Sequence, residues 1–352
     1  MQASVVLNSV KFVCPACQSR LQNGEGGLKC TSCEHTYPIV DGIPIFILQQ
    51  HYYGEISQDR MRSLIEDSKR DGYKEAIRKY LDNEFVHTYV ADEHRAKWME
   101  LLPLERHSTV LDVGCGWGTT AIPISRQVGT VVAMDATYER VKFVEVRAGQ
   151  THAQNVVPVV ASALELPLAS GQFDLVTFNG VLEWLGASDA TINAKQCQMK
   201  ALEEAFRVLK PGGLIYIGIE NRFSLRYFLG DPDDHSFIRF TSLLPRWLAD
   251  VYCMMRGGKP YNTYTHSLGV YQAMLTEAGF NGLKTYYPWP TYRNPEKIVP
   301  LARQEVLELT RDLRRAADPG RKWLYYLLLQ AVTAIEGAGR ACHSFSFVAQ
   351  KP

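Results

Sequence analysis

Short apolar runs separated by amphipathic segments dominate the chain from residue 109 to its end. Five of these runs predict β-strands, at 110–113, 130–134, 156–160, 173–178 and 214–219. Several segments between them carry apolar residues at helical spacing, including one that ends at Lys210 and another over 268–279. Strands that alternate with helices in this way predict an α/β fold built on a doubly wound sheet.

A different pattern precedes these strands. Residues 51–105 are predicted to be helical, with apolar residues spaced for one face at Met61, Leu64, Ile65, Ile77, Tyr80 and Leu81. This segment either caps a cofactor pocket or forms a linker helix packed on the core, and the sequence favours neither. We therefore divide the chain into an N-terminal module at 1–50, a helical linker or cap at 51–105 and a main domain at 106–352.

Four of the eight cysteines form two C-x-x-C pairs near the N-terminus, Cys14 with Cys17 and Cys30 with Cys33. Two such pairs complete a tetrahedral S₄ site that suits one zinc ion. A redox role is the competing explanation, but no βαβ pattern surrounds the pairs. Four thiolates leave no open coordination position, so the zinc is expected to be structural. The scattered cysteines are expected in the core: Cys115, Cys197, Cys253 and Cys342.

A glycine-rich turn follows the first apolar strand of the main domain. Asp112 lies near the end of that strand, and the turn reads Gly114-Cys115-Gly116-Trp117-Gly118. Glycines let the backbone turn sharply and approach a ligand closely. Alone, this turn also fits dinucleotide-binding enzymes. Asp135 ends the second strand, about twenty residues beyond the glycines, where a carboxylate can accept both ribose hydroxyls of an adenosine-containing cofactor.

The order of the motifs along the chain narrows the class of protein. The segments VLDVGCGWG, VVAMDA, ALELPL, FDLVTFNGVLEW and RVLKPGGLIYI, within 109–220, resemble the motif set of class I S-adenosylmethionine-dependent methyltransferases. That resemblance implies a seven-stranded Rossmann-like sheet, with strand six near 283–287 and strand seven at 344–350. The last strand is then expected to run antiparallel between strands five and six. The cysteine pairs with the following YPIVDGIP, at about 10–48, resemble the short zinc domain that serves as the activating subunit of tRNA, rRNA and release-factor methyltransferases.

The methyltransferase resemblance also implies a set of residues that bind S-adenosylmethionine. Asp112, Gly114 and Gly116 should line the methionine part, with Cys115 contributing backbone. Asp135 should hold the ribose, while Asn179 should offer its carbonyl to the methionine ammonium. Ser162 stands where many relatives have Asp, so its hydrogen bond to the adenine amino group should be weaker. The implied contacts to adenine come from Ala136, Ser162 and Ala163.

Two additions interrupt the expected domain. The first, at 220–267, is rich in aromatic residues, which predicts a lid over a substrate pocket or an aromatic mini-core. Its motifs ENRFSLRYFLG, DPDDH and TYTHS, with YYPWPTYRNP further on, resemble uncharacterised methyltransferases of bacterial surface-polysaccharide and related biosynthetic genes. The second addition, at 288–339, is predicted to be mostly helical. Glu220-Asn221-Arg222, just past strand five, is a candidate to hold a polar substrate.

The first addition contains the candidates for the general base. His235 is the preferred candidate because the unperturbed pKa of histidine suits proton transfer, and Asp234 is a candidate to orient it. Tyr264 and His266 are competing candidates. FNGVLEW stands where other methyltransferases have an N-P-P-Y-type motif, and it offers no obvious base. The absence of that motif disfavours nucleobase amino groups and glutamine amides as acceptors.

Composition and charge set the remaining expectations. Apolar residues make up 46% and charged residues 21% of the chain, as in ordinary globular enzymes, and the net charge of +1 lacks the basic excess of a dedicated RNA binder. No apolar run suits a membrane span and no secretory signal is evident, so we expect a cytoplasmic protein.

The leading hypothesis is methyl transfer to an O or N atom of a small or saccharide-like metabolite. An RNA methyltransferase is the runner-up, and a non-catalytic scaffold is the third alternative. Binding of a protein partner by the zinc domain is a further alternative.

Overall fold

The computed structural model describes residues 10–47, 52, 54–81, 90–186, 193–261, 263–337 and 339–352. Residues 82–89 of the expected linker lie outside the described residues. The chain divides into two compact units. Unit 1 comprises residues 1–178, 200–215 and 351–352, and unit 2 comprises residues 179–199 and 216–350.

Unit 1 contains a small N-terminal sheet, a pair of helices and a parallel sheet. The strands are β1 (Leu21–Gly24), β2 (Gly27–Cys30), β3 (Thr36–Val40), β4 (Ile43–Pro44), β5 (Thr109–Val113), β6 (Thr130–Asp135), β7 (Val156–Val160) and β8 (Phe173–Asn179), whose last residue belongs to unit 2. The helices are α1 (Gln58–Asp71), α2 (Tyr73–Tyr80), a 3₁₀ helix (Glu93–Leu101), α3 (Ala121–Ser125) and α4 (Tyr138–Gln150). Helix α5 (Ala194–Val208) and strand β9 (Leu209–Glu220) run through both units.

The parallel strands of unit 1 lie in the order β9–β8–β5–β6–β7. Strand β5 pairs in parallel with β6 on one side and β8 on the other, and β6 pairs in parallel with β7. Nearly every residue of these strands is buried, as expected for a sheet whose two faces are both covered. The carboxyl ends of β5 and β6 therefore meet at one edge of the sheet.

The helical linker packs on this sheet domain. Buried residues of α1 and α2, among them Leu64 and Ile77, form one apolar cluster with Trp117 and Phe143. Gly72 caps the end of helix α1: its N–H donates to the carbonyl of Ser68, and its positive φ of 95° turns the chain out of the helix. Helices α1 and α2 therefore pack on the core of unit 1.

The N-terminal module docks on strand β7. The strands β1 to β4 form an antiparallel sheet in sequence order. Beyond it, Ile45 forms a parallel bridge with Val160, and the N–H of Phe46 donates to the carbonyl of Val160 at 2.8 Å. The N–H of Val13 donates to the carbonyl of Pro167 at 3.0 Å. The module thus supplies backbone partners to a strand that would otherwise be an unpaired edge.

Unit 2 contains the antiparallel strands. They are β10 (Asn281–Trp289), β11 (Lys297–Pro300) and β12 (Ser344–Gln350), in the order β11–β10–β12–β9. The helices are α6 (Leu225–Phe228), α7 (Arg246–Gly257), α8 (Leu268–Glu277), α9 (Arg303–Ala316) and α10 (Arg321–Glu336), with 3₁₀ helices at Leu182–Trp184 and Thr241–Leu243. Strand β10 pairs antiparallel with both β11 and β12.

All seven predicted strands are present, and the expected antiparallel last strand between strands five and six is confirmed as β12. Two details differ from expectation. The helix expected to end at Lys210 ends at Val208, and β9 begins at Leu209, so that it includes Pro211-Gly212-Gly213. The addition at 288–339 also contains β11, which pairs with the end of β10.

The aromatic addition has a mini-core and exposed aromatic residues together. Ala249, Cys253 and Tyr261 form a buried cluster with Ile238 and Leu244 packed against it. In contrast, Phe237 is 77% and Trp247 is 70% exposed. None of the helices within the described ranges is long and apolar enough to cross a membrane.

Candidate functional site

Asp112 is a buried carboxylate at the carboxyl end of β5. Its Oδ1 accepts a hydrogen bond from the hydroxyl of Thr177 at 2.7 Å. Its Oδ2 is buried and finds no hydrogen-bonding partner among the described residues. Burial raises the pKa of Asp112 to about 6, although the hydrogen bond from Thr177 opposes this shift. A buried acceptor of this kind needs a donor to satisfy it, and a ligand ammonium group would do so.

The glycine turn is tied to the end of β6. Gly114 and Gly116 have φ values of 67° and 51°, in the left-handed region that glycine tolerates. The N–H of Gly116 donates to Oδ2 of Asp135 at 3.1 Å, and the N–H of Thr137 donates to Oδ1 at 2.9 Å. Asp135 therefore holds the turn in place, and each of its oxygens keeps a further lone pair for a ligand hydroxyl.

The residues expected to meet adenine lie after β6 and β7. Ala136 is exposed, Ser162 is partly buried and Ala163 is buried. The hydroxyl oxygen of Ser162 accepts a hydrogen bond from the N–H of Leu164 at 3.2 Å, and its second lone pair can accept from a ligand amino group. Cys115 is buried, and its backbone N–H donates to the carbonyl of Met134.

A helical-linker side chain braces the same turn. The indole N–H of Trp117 donates to Oε2 of Glu55 at 3.0 Å, and Arg140 binds both oxygens of Glu55 at 2.9 Å. Arg140 in turn lies 3.9 Å from Asp135. The linker thus contributes to the stability of the glycine turn, a role that the sequence motifs did not predict.

The four N-terminal cysteines converge. The Sγ atoms of Cys14 and Cys33, of Cys17 and Cys30, and of Cys17 and Cys33 are each 3.5 Å apart. That is far beyond a disulfide bond and close to the separation of about 3.8 Å expected for thiolates around tetrahedral zinc. The backbone N–H groups of Ser32 and Cys33 point at Sγ of Cys30, as expected for a thiolate ligand. This donor set fits zinc.

The remaining predicted residues belong to unit 2. Asn179, the last residue of β8, is buried. A Cβ at Gly218 would lie 2.4 Å from Oδ1 of Asn179, so a glycine is required at that position of β9.

His235 lies in a buried polar cluster. Its Nε2 is 3.9 Å from Oε1 of Glu183 and 3.9 Å from Oε1 of Glu220, and its side chain is 3% exposed. Burial opposes a charge on this ring, but the carboxylates of Glu220 and Glu183 outweigh it and raise the pKa of His235 to about 9. The ring packs edge-on against Trp184.

Asp234 does not orient His235 as the sequence led us to expect. Its Oδ2 accepts from the hydroxyl of Tyr227 at 2.7 Å, and its Oδ1 is 3.2 Å from Arg226 and 3.7 Å from Arg293. The guanidinium groups of Arg293 and Arg226, with the hydrogen bond from Tyr227, hold the pKa of Asp234 below its usual range despite burial. The adjacent Asp233, not Asp234, contacts His235, by accepting its backbone N–H at 3.0 Å.

Tyr264 and His266 line a different part of unit 2, an open cavity of about 250 Å³. Arg246 stacks on the ring of Tyr264, at 3.8 Å from its centroid. Other residues that line the cavity include Lys195, Arg222, Ser242 and Thr263. The hydroxyls of Ser242 and Thr263 are buried and find no hydrogen-bonding partner within the described ranges.

The tautomer of His266 follows from its neighbour. The side-chain amide N–H₂ of Gln198 donates to the carbonyls of Leu182 and Tyr264, both at 2.9 Å. This fixes Oε1 of Gln198 toward Nε2 of His266, at 2.7 Å, so Nε2 carries the hydrogen and Nδ1 is the basic nitrogen. Burial, with the positive charges of Arg222 and Lys195, lowers the pKa of His266 to about 4.

Sequence reasoning missed part of the buried cluster. No motif singled out Glu183 within FNGVLEW, yet its side chain is fully buried (0% exposed) and lies beside His235. Tyr292 and Arg293, from the second addition, were not singled out. The hydroxyl of Tyr292 donates to Glu220 at 2.9 Å, and Arg293 binds Glu220 at 2.6 Å. The only signal in the sequence was that Glu183 and Glu220 each stand beside apolar residues. Long-range packing brings the members of this cluster together.

Comparisons with known proteins agree with this architecture. Residues 111–217 match a family model described as a methyltransferase domain, and residues 12–42 match the model of Trm112p-like proteins. The chain therefore contains a methyltransferase domain preceded by a Trm112p-like domain. Its mixed sheet is the Rossmann-like fold of methyltransferases.

Similar proteins cover part of the chain. A demethylmenaquinone methyltransferase of Listeria welshimeri is 30% identical over 122 residues, 34% of this chain and 48% of that protein. The mitochondrial ubiquinone biosynthesis O-methyltransferase of Rattus norvegicus is 28% identical over 121 residues, 34% of this chain and 33% of that protein. The chain thus spans half or less of these relatives. Among solved structures, phosphoethanolamine N-methyltransferase 2 of Haemonchus contortus has a TM-score of 0.45 and 16% identity, and the match covers 85% of this chain and 61% of that one.

Proposed function

We propose that the protein is an S-adenosylmethionine-dependent methyltransferase that acts on an O or N atom of a small or saccharide-like metabolite. The observation that carries this proposal is Asp135, a buried carboxylate that holds a positive-φ glycine turn at the carboxyl ends of β5 and β6. This arrangement lies inside the matched methyltransferase domain.

The residues of unit 1 divide the work of binding the cofactor. Asp112, with an unsatisfied buried oxygen, receives a donor from the methionine part, and Asp135 receives the ribose hydroxyls. The glycine turn admits the ligand close to the backbone, while Ala136, Ser162 and Ala163 border the adenine. Asn179, the last residue of β8, keeps its expected role of offering its carbonyl to the methionine ammonium. The bound cofactor would supply a methyl group that is already primed for displacement.

Methyl transfer then requires alignment of the acceptor and removal of its proton. Among the four candidates, His266 best fits the role of general base. It is held as one tautomer by Gln198 and it lines an open cavity. Its lowered pKa keeps Nδ1 unprotonated at neutral pH, although it also makes this nitrogen a weaker base than a free histidine. Tyr264 shapes the same cavity under Arg246, and Asp234 is engaged by arginines elsewhere.

The acceptor is inferred from the cavity and the relatives. A cavity of about 250 Å³ lined by Lys195, Arg222 and Arg246 suits part of a small polar molecule. The rat relative is named as an O-methyltransferase of ubiquinone biosynthesis, which supports a hydroxyl acceptor. A zinc ion held by Cys14, Cys17, Cys30 and Cys33 would stabilise the Trm112p-like domain, and docking on β7 of its own chain makes that domain an internal support of the fold.

A methyl-label assay tests the proposal. The protein is incubated with methyl-tritiated S-adenosylmethionine and a cell extract, which is then separated into nucleic-acid, protein, lipid and small-molecule fractions. We expect label in the small-molecule or lipid fraction, lost in Asp135→Ala and retained in Asp174→Ala. Label in nuclease-sensitive material would make the protein an RNA methyltransferase, and failure to bind S-adenosylmethionine at micromolar concentrations would make it a scaffold.

The base is tested on the acceptor so identified. His266→Gln should lower kcat by about 10²–10⁴-fold while the affinity for S-adenosylmethionine stays unchanged. His343→Gln, at the other buried histidine with a pKa lowered to about 4, is the matched control and should keep its kcat within a few-fold. Equal losses in both variants would show that His266 has only a structural role.

A further inference from the structure

Three buried side chains of unit 2 are left incompletely paired by the fold. Glu183 is 0% and Glu220 is 1% exposed, and the His235 ring lies between them. Oε2 of each glutamate and both ring nitrogens of His235 are buried with no hydrogen-bonding partner among the residues that the structure describes. Buried polar atoms are nearly always satisfied, so four unsatisfied atoms in one place indicate that a partner belongs there.

The spacing of these groups is informative. Nε2 of His235 is 3.9 Å from Oε1 of Glu183 and 3.9 Å from Oε1 of Glu220, which is too long for a hydrogen bond. One ligand atom from each residue lies within 4.8 Å of the other two. Donors about 2.1 Å from a tetrahedral or octahedral ion are about 3.0–3.4 Å apart at adjacent positions, so small side-chain adjustments would close the set around one cation.

We propose that Glu183, Glu220 and His235 form a divalent-cation site, distinct from the four cysteines and independent of the proposed methyl transfer. The cation would satisfy one nitrogen of the imidazole and both carboxylates at once. Without it, two carboxylates are buried around a ring that hydrogen-bonds to neither, an arrangement that costs free energy.

The surroundings fit a metal centre. Tyr292 donates to Glu220 at 2.9 Å and lies 3.5 Å from Oε1 of Glu183, so its hydroxyl spans both carboxylates. Arg293 also binds Oε1 of Glu220, at 2.6 Å. Such outer contacts orient ligand carboxylates, and they leave Oε2 of each glutamate free to turn toward the ion.

The ligand chemistry selects the kind of ion. Two carboxylates and one imidazole suit Mn²⁺, Fe²⁺ or Zn²⁺, whereas four thiolates select zinc over Mn²⁺. Three protein ligands leave coordination positions open for water or for an oxygen of a bound molecule. The site therefore differs from the N-terminal cysteine cluster in both its preferred metal and its open positions.

Mn²⁺ is the probe because it is paramagnetic and avoids the thiolate cluster. The zinc-loaded full-length chain is titrated with Mn²⁺, and the signal of the free ion is followed by electron paramagnetic resonance. We expect one Mn²⁺ per chain, and an affinity at least tenfold weaker in Glu183→Gln, Glu220→Gln and His235→Gln. His266→Gln, at a histidine of the neighbouring cavity, should bind Mn²⁺ as the unaltered protein does.

A spectroscopic signature guards against variants that fail to fold. Pulsed measurements on the unaltered protein should show hyperfine coupling from one imidazole nitrogen, lost in His235→Gln. The absence of stoichiometric Mn²⁺ binding, the absence of that coupling, or full Mn²⁺ affinity in folded Glu183→Gln would overturn the proposal. Binding of S-adenosylmethionine is measured in the same samples, so failure of the metal site is distinguished from failure of the proposed function.

Discussion

Replacing Asp135 by Asn tests the role of the carboxylate in unit 1. In the structure, each oxygen of Asp135 accepts a backbone N–H, from Gly116 at 3.1 Å and from Thr137 at 2.9 Å. An asparagine can satisfy only one of these groups with its carbonyl, and it turns an N–H₂ group toward the other. The variant therefore loses one charge-assisted hydrogen bond and the negative charge that a ribose would meet.

The expected magnitudes follow from these contacts. A hydrogen bond to a charged group contributes about 1.5–3 kcal/mol net, so the free energy of unfolding should fall by about that amount. This loss leaves a typical domain folded. Loss of a comparable hydrogen bond to the ribose should weaken the binding of S-adenosylmethionine by roughly 10- to 150-fold. Urea denaturation measures the first effect, and titration calorimetry with S-adenosylmethionine measures the second.

Asp174→Asn is the matched control. Asp174, near the start of β8, also accepts a backbone N–H, from Thr109 at 2.7 Å, and is paired with Lys210. It lies at the opposite end of the parallel strands from Asp135. This control should lose stability but keep the affinity for S-adenosylmethionine. A change of less than about twofold in affinity for folded Asp135→Asn, or an equal loss in Asp174→Asn, would refute the reasoning.

Further predictions concern the zinc domain, the linker and one histidine. Cys30→Ser should release zinc and unfold residues 10–47, which metal analysis and limited proteolysis would detect; retained stoichiometric zinc with an unchanged melting profile would contradict this. Leu64→Ala, at a fully buried site of the helical linker, should lower the free energy of unfolding by about 2–5 kcal/mol in urea, whereas Leu324→Ala, 45% exposed, should cost far less. Because the pKa of His266 is lowered to about 4 in the folded chain, the unfolded chain binds the extra proton between about pH 4 and 6.5. The free energy of unfolding should therefore fall as pH is lowered through that window, by up to about 1.4 kcal/mol per pH unit, and His266→Gln should remove this part of the slope.

The elements that could be predicted share a local cause. The strands β5 to β8 are continuous β-branched and apolar runs that fit a sheet buried on both faces, and the glycine turn follows β5 directly. The two cysteine pairs are similarly local, because each C-x-x-C brings its own thiolates together. Asp112 and Asp135 could be placed in advance for the same reason, since each lies at or beside the carboxyl end of a parallel strand and such ends share one edge of the sheet.

The buried cluster of unit 2 could not be found in this way. Glu183, Glu220 and Tyr292 come from segments up to 109 residues apart, and each is brought in by different elements. Sequence spacing suggested that Asp234 orients its neighbour His235, but adjacent residues in an irregular segment need not face the same way. Packing turned the carboxylate of Asp234 toward Arg226 and Tyr227 instead.

By itself, the sequence determined the order of the strands along the chain, the class of the parallel sheet, the four-cysteine cluster and the carboxylates at the ends of β5 and β6. These depend on periodicity and on contacts within a few residues, which the chain encodes locally. The tertiary structure alone decided that the N-terminal module pairs with β7, that Glu55 braces the glycine turn, and that Glu183, Glu220 and His235 converge. Those contacts join distant segments, and their geometry depends on how the whole core packs.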